Sequence, residues 1–173
     1  SEDNSQLAEI VHYLKNQEHI NTIIIDGAAS RATQVASVKN SCFYYIVKVD
    51  QKSINSDINK LKTIALITKF KTIDELEDLE NKTVFEIKGA FTETKLSEIP
   101  KICDVLLLQD FTKIFIDYSK LINLTKKVEI AFNINYKLVS FVIILKDVTE
   151  KEFRKIIDKH NIEESILFNP YEQ

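Results

Sequence analysis

Glycine is scarce in this chain, which has only Gly27 and Gly89. A GxxxxGK[ST] phosphate-binding loop and the GxGxxG turn of a dinucleotide-binding domain each need several glycines close together, because the backbone must approach the phosphates. Neither pattern can form from two distant glycines. The chain on its own is therefore excluded from the P-loop NTPases and from the dinucleotide-binding Rossmann domains.

Methionine is absent, and the chain begins at Ser1, so we expect a fragment of a longer protein. No apolar run approaches the roughly eighteen residues of a membrane-spanning helix, and no secretory signal is visible. These absences favour a cytoplasmic protein without a membrane partner. Cys42 and Cys103 form no CxxC motif and predict two buried, reduced thiols, with one disulfide as the alternative.

Arginine is also scarce, since Arg31 and Arg154 are the only two among 23 basic residues, and the net charge is −3. Arginine supplies most bidentate contacts to phosphates and bases. A nucleic-acid partner is therefore not expected.

Strand-like and helix-like segments alternate along most of the chain. Continuous apolar or β-branched runs predict strands, and apolar residues at helical spacing predict helices. The predicted helices are 5–16, 56–70, 92–99, 117–126 and 149–160, and the predicted strands are 22–25, 42–49, 83–87, 104–108, 128–132, 137–145 and 165–168. We expect Ser56 or Asp57 to cap the second helix, and Thr149 and Glu152 to form a capping box.

This alternation predicts one α/β domain over residues 1–173. The expected architecture is a mainly parallel, doubly wound sheet of about six or seven strands, with helices on both faces. Only about four residues separate the strands 128–132 and 137–145, so a hairpin within a mixed sheet is an open alternative.

Candidate ligand-binding residues follow the predicted strands. In open α/β sheets, ligands bind at the carboxyl ends of the strands. The candidates there are Asp26, Gly27, Arg31, Lys88, Gly89, Asp110, Thr112 and Lys113. Both glycines lie in this set, which suggests either a close approach to a ligand or two tight turns.

Asp26 ends the apolar segment NTIII, in the manner of the Walker B aspartate that orders Mg²⁺ beside a nucleotide. Asp26 would bind magnesium only when a nucleotide is present. The alternative is that Asp26 is a simple turn residue. Arg31 could pair with Asp26 or bind an anion near a helix start. Lys113 could pair with Asp110 or belong to a site, and no complete catalytic motif can be assembled.

Several segments resemble one protein family: SEDNSQLAEIVHYLK, NTIIIDGAASRAT, IKGAFTETKLSEI, LLLQDFTKIFID and VEIAFNINYKLVSFVII. Their order and residues are similar to the C-terminal part of the P-loop accessory protein encoded beside the B12-dependent lysine 5,6-aminomutase, the reactivase small subunit. The chain departs from that family at Lys48-Val49-Asp50, where a small turn is expected, and at Phe111.

The resemblance implies an accessory protein that assists an adenosylcobalamin-dependent aminomutase by nucleotide-driven exchange of damaged cofactor. ATP and Mg²⁺ would be held through a phosphate-binding segment that precedes Asn4 in the family. The implied partners are an ATPase subunit or the aminomutase. The alternatives are an independent domain that binds or transfers a small molecule or phosphate ligand, and a non-catalytic protein-interaction module.

Overall fold

The computed structural model describes residues 2–17, 19–26 and 41–169, and for residues 2–8 it describes only the backbone. The chain divides into two compact units, one that ends at Ser41 and one that begins at Cys42. All nine strands that the structure describes lie in the second unit.

The described part of the first unit contains one helix, α1 (Glu2–Lys15), as the apolar spacing predicted. The segment Thr22–Ile25 forms no strand, and the Ile24 side chain is 90% exposed. The prediction of a buried strand there was wrong. Strand propensity reflects how side chains fit a pleated, half-buried surface, so four β-forming residues do not make a strand without that surface.

The second unit has three α-helices: α2 (Ile54–Ile67), α3 (Tyr118–Leu124) and α4 (Glu150–Lys159). The α4 capping box is confirmed, since the Glu152 amide donates to Thr149 Oγ1 at 3.3 Å and the Thr149 amide donates to Glu152 Oε2 at 3.0 Å. The helix predicted at 92–99 is a 3₁₀ helix over Glu93–Glu98.

The expected cap of α2 was wrong, because the N-cap is Ser53. Asp57 lies inside the first turn, where it accepts hydrogen bonds from Ser53 Oγ at 2.6 Å and from Lys60 Nζ at 2.9 Å. Burial raises the pKa of Asp57, but these two donors outweigh burial and hold the pKa below its usual value. Asp57 therefore joins the start of the helix to its second turn.

The strands fall into three sheets, and every described pairing is parallel. The strands are β1 (Cys42–Asp50), β2 (Lys71–Thr72), β3 (Val84–Ile87), β4 (Phe91–Thr92), β5 (Val105–Leu108), β6 (Ile114–Phe115), β7 (Glu129–Phe132), β8 (Lys137–Lys146) and β9 (Ile166–Phe168). The strand orders are β1-β8-β9, β2-β7-β5-β3 and β4-β6. The α/β class with parallel pairing is confirmed, although the strands do not share a single sheet.

The β7–β8 hairpin is excluded, because the two strands belong to different sheets. The residues between β7 and β8 are hydrogen-bonded to other segments of the chain. The amides of Asn133 and Ile134 donate to the carbonyls of Leu108 and Gln109, at 2.9 and 3.1 Å, and Asn135 Nδ2 donates to the Phe70 carbonyl at 2.8 Å. The first two bonds extend the pairing with β5, and the third ties the connection to the residue before β2, so the connection cannot fold into a tight antiparallel turn.

Two apolar cores stabilise the second unit. The first core packs α2 and α4 against one face of the three-stranded sheet, with Leu61, Phe141 and Phe153 fully buried. The second core lies around the four-stranded sheet and α3. Complete burial of one such side chain contributes roughly 1.5–3 kcal/mol.

Strand β1 is half-buried, whereas the continuous apolar run predicted burial on both faces. Val47 and Val49 point into the core, and Tyr44 and Ile46 are exposed on the opposite face. Both core helices cover the Val47 side. Among residues 41–169, helices therefore pack on one face of this sheet.

Candidate functional site

The carboxyl ends of β3 and β5 bring several predicted site residues to one edge. Ile87 is paired with Leu108 at the ends of these neighbouring strands. Lys88 and Gln109 therefore follow the two strand ends side by side, and Asp110 lies one residue farther along at the same edge.

Asp110 is fully buried at this edge and caps the 3₁₀ helix Phe111–Lys113. Its Oδ1 accepts hydrogen bonds from the Thr112 amide, at 2.8 Å, and from Thr112 Oγ1. Its Oδ2 is buried and has no hydrogen-bond partner among the described residues. Oδ1 thus has a structural role, whereas the burial of Oδ2 without a hydrogen bond is unfavourable in free energy.

Tyr136 lies beside Asp110 and was missed in the sequence. It is buried, and burial together with the negative charge of Asp110 raises the pKa of its phenol well above the usual value. Its ring meets the Phe111 ring edge-on at 5.7 Å, and Phe111 stacks on Phe43 at 4.9 Å. The available signal was the position of NINY directly after a buried parallel strand.

The other residues of this edge have structural explanations. Gly89 has φ +75°, a backbone conformation that favours glycine. The Lys88 carbonyl accepts a hydrogen bond from Lys95 Nζ at 2.6 Å. Lys113 makes no ion pair with Asp110 in the described structure; only its backbone amide contacts the Asp110 carbonyl, at 3.2 Å. The tight-turn interpretation is therefore favoured for Gly89.

Asp26 does not stand at the end of a strand, and its side chain is exposed. The strand that was predicted to end at Asp26 is absent, so the Walker B-like role of Asp26 remains a prediction. Gly27 and Arg31 lie outside the described residues, as does any pairing of Arg31 with Asp26. Asp110 offers no exposed oxygen to the Mg²⁺ of a nucleotide, since it is fully buried and bonded to Thr112.

The two cysteines are not joined by a disulfide. The prediction that both thiols are buried was wrong, because Cys42 is exposed and Cys103 is only partly buried. Burial raises the pKa of the Cys103 thiol, and a raised pKa lowers the thiolate fraction that attacks electrophiles.

An open cleft of about 330 Å³ lies where α2 ends and where β8 and β9 begin. It is lined by Thr68, Asn135, Tyr136, Lys137, Leu138 and Glu164. Glu164 Oε1 lies 3.7 Å from Lys69 Nζ, which is too long for a hydrogen bond. Its Oε2 is buried without a hydrogen-bond partner among the described residues.

The uncovered face of the three-stranded sheet carries an apolar row. Ile46 is paired with Val142, and Val142 with Leu167, so the three side chains lie side by side across the sheet. Ile46 is 64% exposed, Leu167 is 50% exposed, and the neighbouring Tyr44 is 55% exposed. We call Tyr44, Ile46, Val142, Ile144 and Leu167 the apolar face.

Charged residues border the apolar face at the carboxyl end of β1. Lys146 Nζ lies 3.2 Å from Asp50 Oδ2, and the Lys52 amide donates to Asp50 Oδ1 at 2.9 Å. The Lys52 amide and Lys146 hold the pKa of Asp50 below its usual value. Lys48 lies on the same face, opposite Ile144, and has no ion pair among residues 41–169.

Within the described residues, no group of three or more His, Cys, Asp or Glu side chains could hold a metal ion. A search of those same residues found no helix long and apolar enough to cross a membrane. Neither a scan against protein-family models nor searches of the curated proteins and of the solved structures found a match.

Proposed function

We propose that the chain is a non-catalytic, protein-binding accessory module that binds its partner through the apolar face. The observation that carries this proposal is the apolar row Ile46–Val142–Leu167 in an all-parallel sheet, with Ile46 and Leu167 exposed and Val142 half-buried between them. Parallel sheets are normally covered on both faces, and contiguous exposed apolar surface marks interaction sites. Among residues 41–169, helices cover only the other face.

The partner that suits this face is a helix with an apolar stripe and at least one acidic residue at its edge. Helices are the elements that normally cover parallel strands. The Lys48 ammonium at the border has no ion pair among the described residues, whereas Lys146 is paired with Asp50. A carboxylate of the partner beside Lys48 would supply the missing charge and set the orientation of the helix.

The identity of the partner is proposed from the resemblance. The matched segments imply an ATPase subunit or an adenosylcobalamin-dependent aminomutase, with ATP and Mg²⁺ held outside the residues described. The chain would then be the binding half of a reactivase-like accessory complex in the cytoplasm. We propose no catalytic step for it.

An alternative is that the strand edge itself binds or transfers a small molecule or phosphate ligand. This alternative has less support, because Asp110 is committed to Thr112 and Lys88 is held through its carbonyl. Gly89 is explained by its backbone conformation.

The test is a binding titration with a purified adenosylcobalamin-dependent aminomutase and with an ATPase subunit, the two partners that the resemblance implies. Ile46→Asp places a charge in the centre of the apolar face, and we expect it to weaken binding by at least about tenfold. Ile102→Asp is the matched control, because Ile102 is 77% exposed and lies outside the three-stranded sheet. Equal affinity of the Ile46→Asp variant and the unmodified chain would overturn the proposal.

A charge reversal at Lys48 tests the proposed orientation of the partner helix. Lys48→Glu should weaken binding further as the salt concentration falls, because repulsion between exposed charges is screened by salt. A binding affinity that is insensitive to Lys48→Glu at every salt concentration would contradict the acidic border of the partner helix.

A further inference from the structure

The cleft beside Glu164 lies apart from the residues that form the apolar face, and it has the size of a small-molecule site. Its volume of about 330 Å³ falls at the lower end of the range typical of ligand pockets. Both charged and apolar side chains line it.

One wall of the cleft is fixed by hydrogen bonds. Asn135 Nδ2 donates to the Phe70 carbonyl, and Asn135 Oδ1 accepts from the Tyr136 amide, both at 2.8 Å. Because Phe70 is distant in sequence, these bonds tie the end of α2 to the start of β8. The wall is therefore organised before any ligand arrives, which lowers the entropic cost of binding.

Glu164 supplies a carboxylate that lacks a donor. Its only described cationic neighbour is Lys69 Nζ, at 3.7 Å, and the Lys69 side chain is 59% exposed. A largely buried carboxylate without hydrogen bonds is costly. Since Oε2 is buried, a ligand would contact Oε1, and a ligand ammonium with three N–H donors would satisfy this oxygen better than Lys69 does at 3.7 Å.

Lys137 gives the cleft the opposite charge. It is exposed at the first position of β8, and its ammonium has no ion pair among the described residues. Leu138 adds an apolar surface beside it. A ligand that carries only an amine would meet Lys69 and Lys137 as like charges, and a ligand that carries only an anion would meet Glu164 in the same way.

We infer that this cleft binds a small zwitterion of the amino-acid class. Its ammonium contacts Glu164, its carboxylate contacts Lys137, and its side chain packs on Leu138. This binding activity goes beyond the proposed protein-binding function and uses none of the residues of the apolar face.

The experiment is a titration of the isotope-labelled chain with L-norvaline, followed by ¹H–¹⁵N NMR. Pentanoate is norvaline without its ammonium, and butylamine is norvaline without its carboxylate. We expect norvaline, at about millimolar affinity, to shift the amide signals of residues 135–138 and 164, with both single-charge analogues binding at least about tenfold more weakly. No shift with norvaline, or equal binding of either analogue, would overturn the inference.

A matched pair of variants locates the site. Glu164→Gln removes the charge and keeps the shape, so it should weaken norvaline binding by at least about tenfold. Glu163→Gln is the control at the adjacent, exposed position. Unchanged binding by a folded Glu164→Gln variant would place the ligand elsewhere. The Ile46→Asp variant should bind norvaline normally, so failure of the protein-binding proposal would be distinguishable from failure of this one.

Discussion

Tyr136 is buried beside Asp110, and burial together with the nearby carboxylate raises the pKa of its phenol. The phenol is almost inaccessible to water, and the neighbouring carboxylate disfavours a second negative charge. At the residue scale, Tyr136 carries a strongly raised pKa. Its direct consequence is a dependence of stability on alkaline pH.

The free energy of unfolding should fall as the pH rises above about 10, the usual tyrosine pKa. The folded chain keeps the Tyr136 proton at a pH where the unfolded chain has lost it, so the contribution of this group is complete below pH 10 and is lost as the pH rises toward the folded-state pKa. Each such group contributes a slope of at most about 1.4 kcal/mol per pH unit. Urea unfolding between neutral pH and pH 11 measures this slope.

Tyr136→Phe should flatten the alkaline slope, and Tyr44→Phe, at an exposed tyrosine, should leave it unchanged. Asp110→Asn should reduce the slope in part, because it removes the charge and leaves the burial. An unaltered slope in the Tyr136→Phe variant would show that other groups cause the alkaline loss of stability.

At the element scale, α4 depends on its first turn. The Thr149–Glu152 capping box satisfies amides that the helix itself leaves without partners. The hydrogen bonds from the Thr149 side chain and backbone also hold the pKa of Glu152 below its usual value. Because α4 contributes Phe153 and Ile157 to the first core, fraying of this turn would loosen that core.

Thr149→Ala should lower the free energy of unfolding by about 1 kcal/mol. The capping box stabilises α4 only while Glu152 is ionised. The difference in free energy of unfolding between the Thr149→Ala variant and the unmodified chain should therefore shrink as the pH falls through the lowered pKa of Glu152. Thermal unfolding at neutral and acidic pH measures both effects. Thr63→Ala is the control, since Thr63 lies in the interior of α2, and a similar loss in both variants would contradict the capping role.

The sequence predicted those elements whose signals are local. α1 follows from apolar spacing, α4 from its capping box, and β5 from the continuous run DVLLL. Thr22–Ile25 and the excluded hairpin show the limit, because strand formation depends on partners that are distant in sequence. The same limit applies to the candidate site residues. The shared edge of Lys88 and Asp110 was predictable, but Tyr136 and Glu164 are brought into place only by tertiary contacts.

At the scale of the second unit, Phe111 connects the two cores. It is partly buried and packs against both clusters of buried side chains. It also stacks on Phe43 of β1 and contacts Tyr136 ahead of β8. One aromatic ring therefore links the three-stranded and four-stranded sheets.

Phe111→Ala should cost about 3 kcal/mol, the lower end for loss of a core phenylalanine. It should also uncouple the sheets, so that native-state hydrogen exchange finds β8 and β5 opening with different free energies. Phe115→Ala removes a ring that is 63% exposed and serves as the control. Matching opening free energies for β5 and β8 in a folded Phe111→Ala variant would show that the cores are coupled by other contacts.

The parallel pairing of β1 with β8 affects how the chain folds while the ribosome synthesises it. Asp50 is paired with Lys146, so β1 emerges long before the strand that holds it. Local hairpins can close early, but parallel strands wait for the whole crossover between them. During synthesis Tyr44 and Ile46 therefore belong to a nascent strand with no neighbour, and this interval is when a chaperone would protect the chain most.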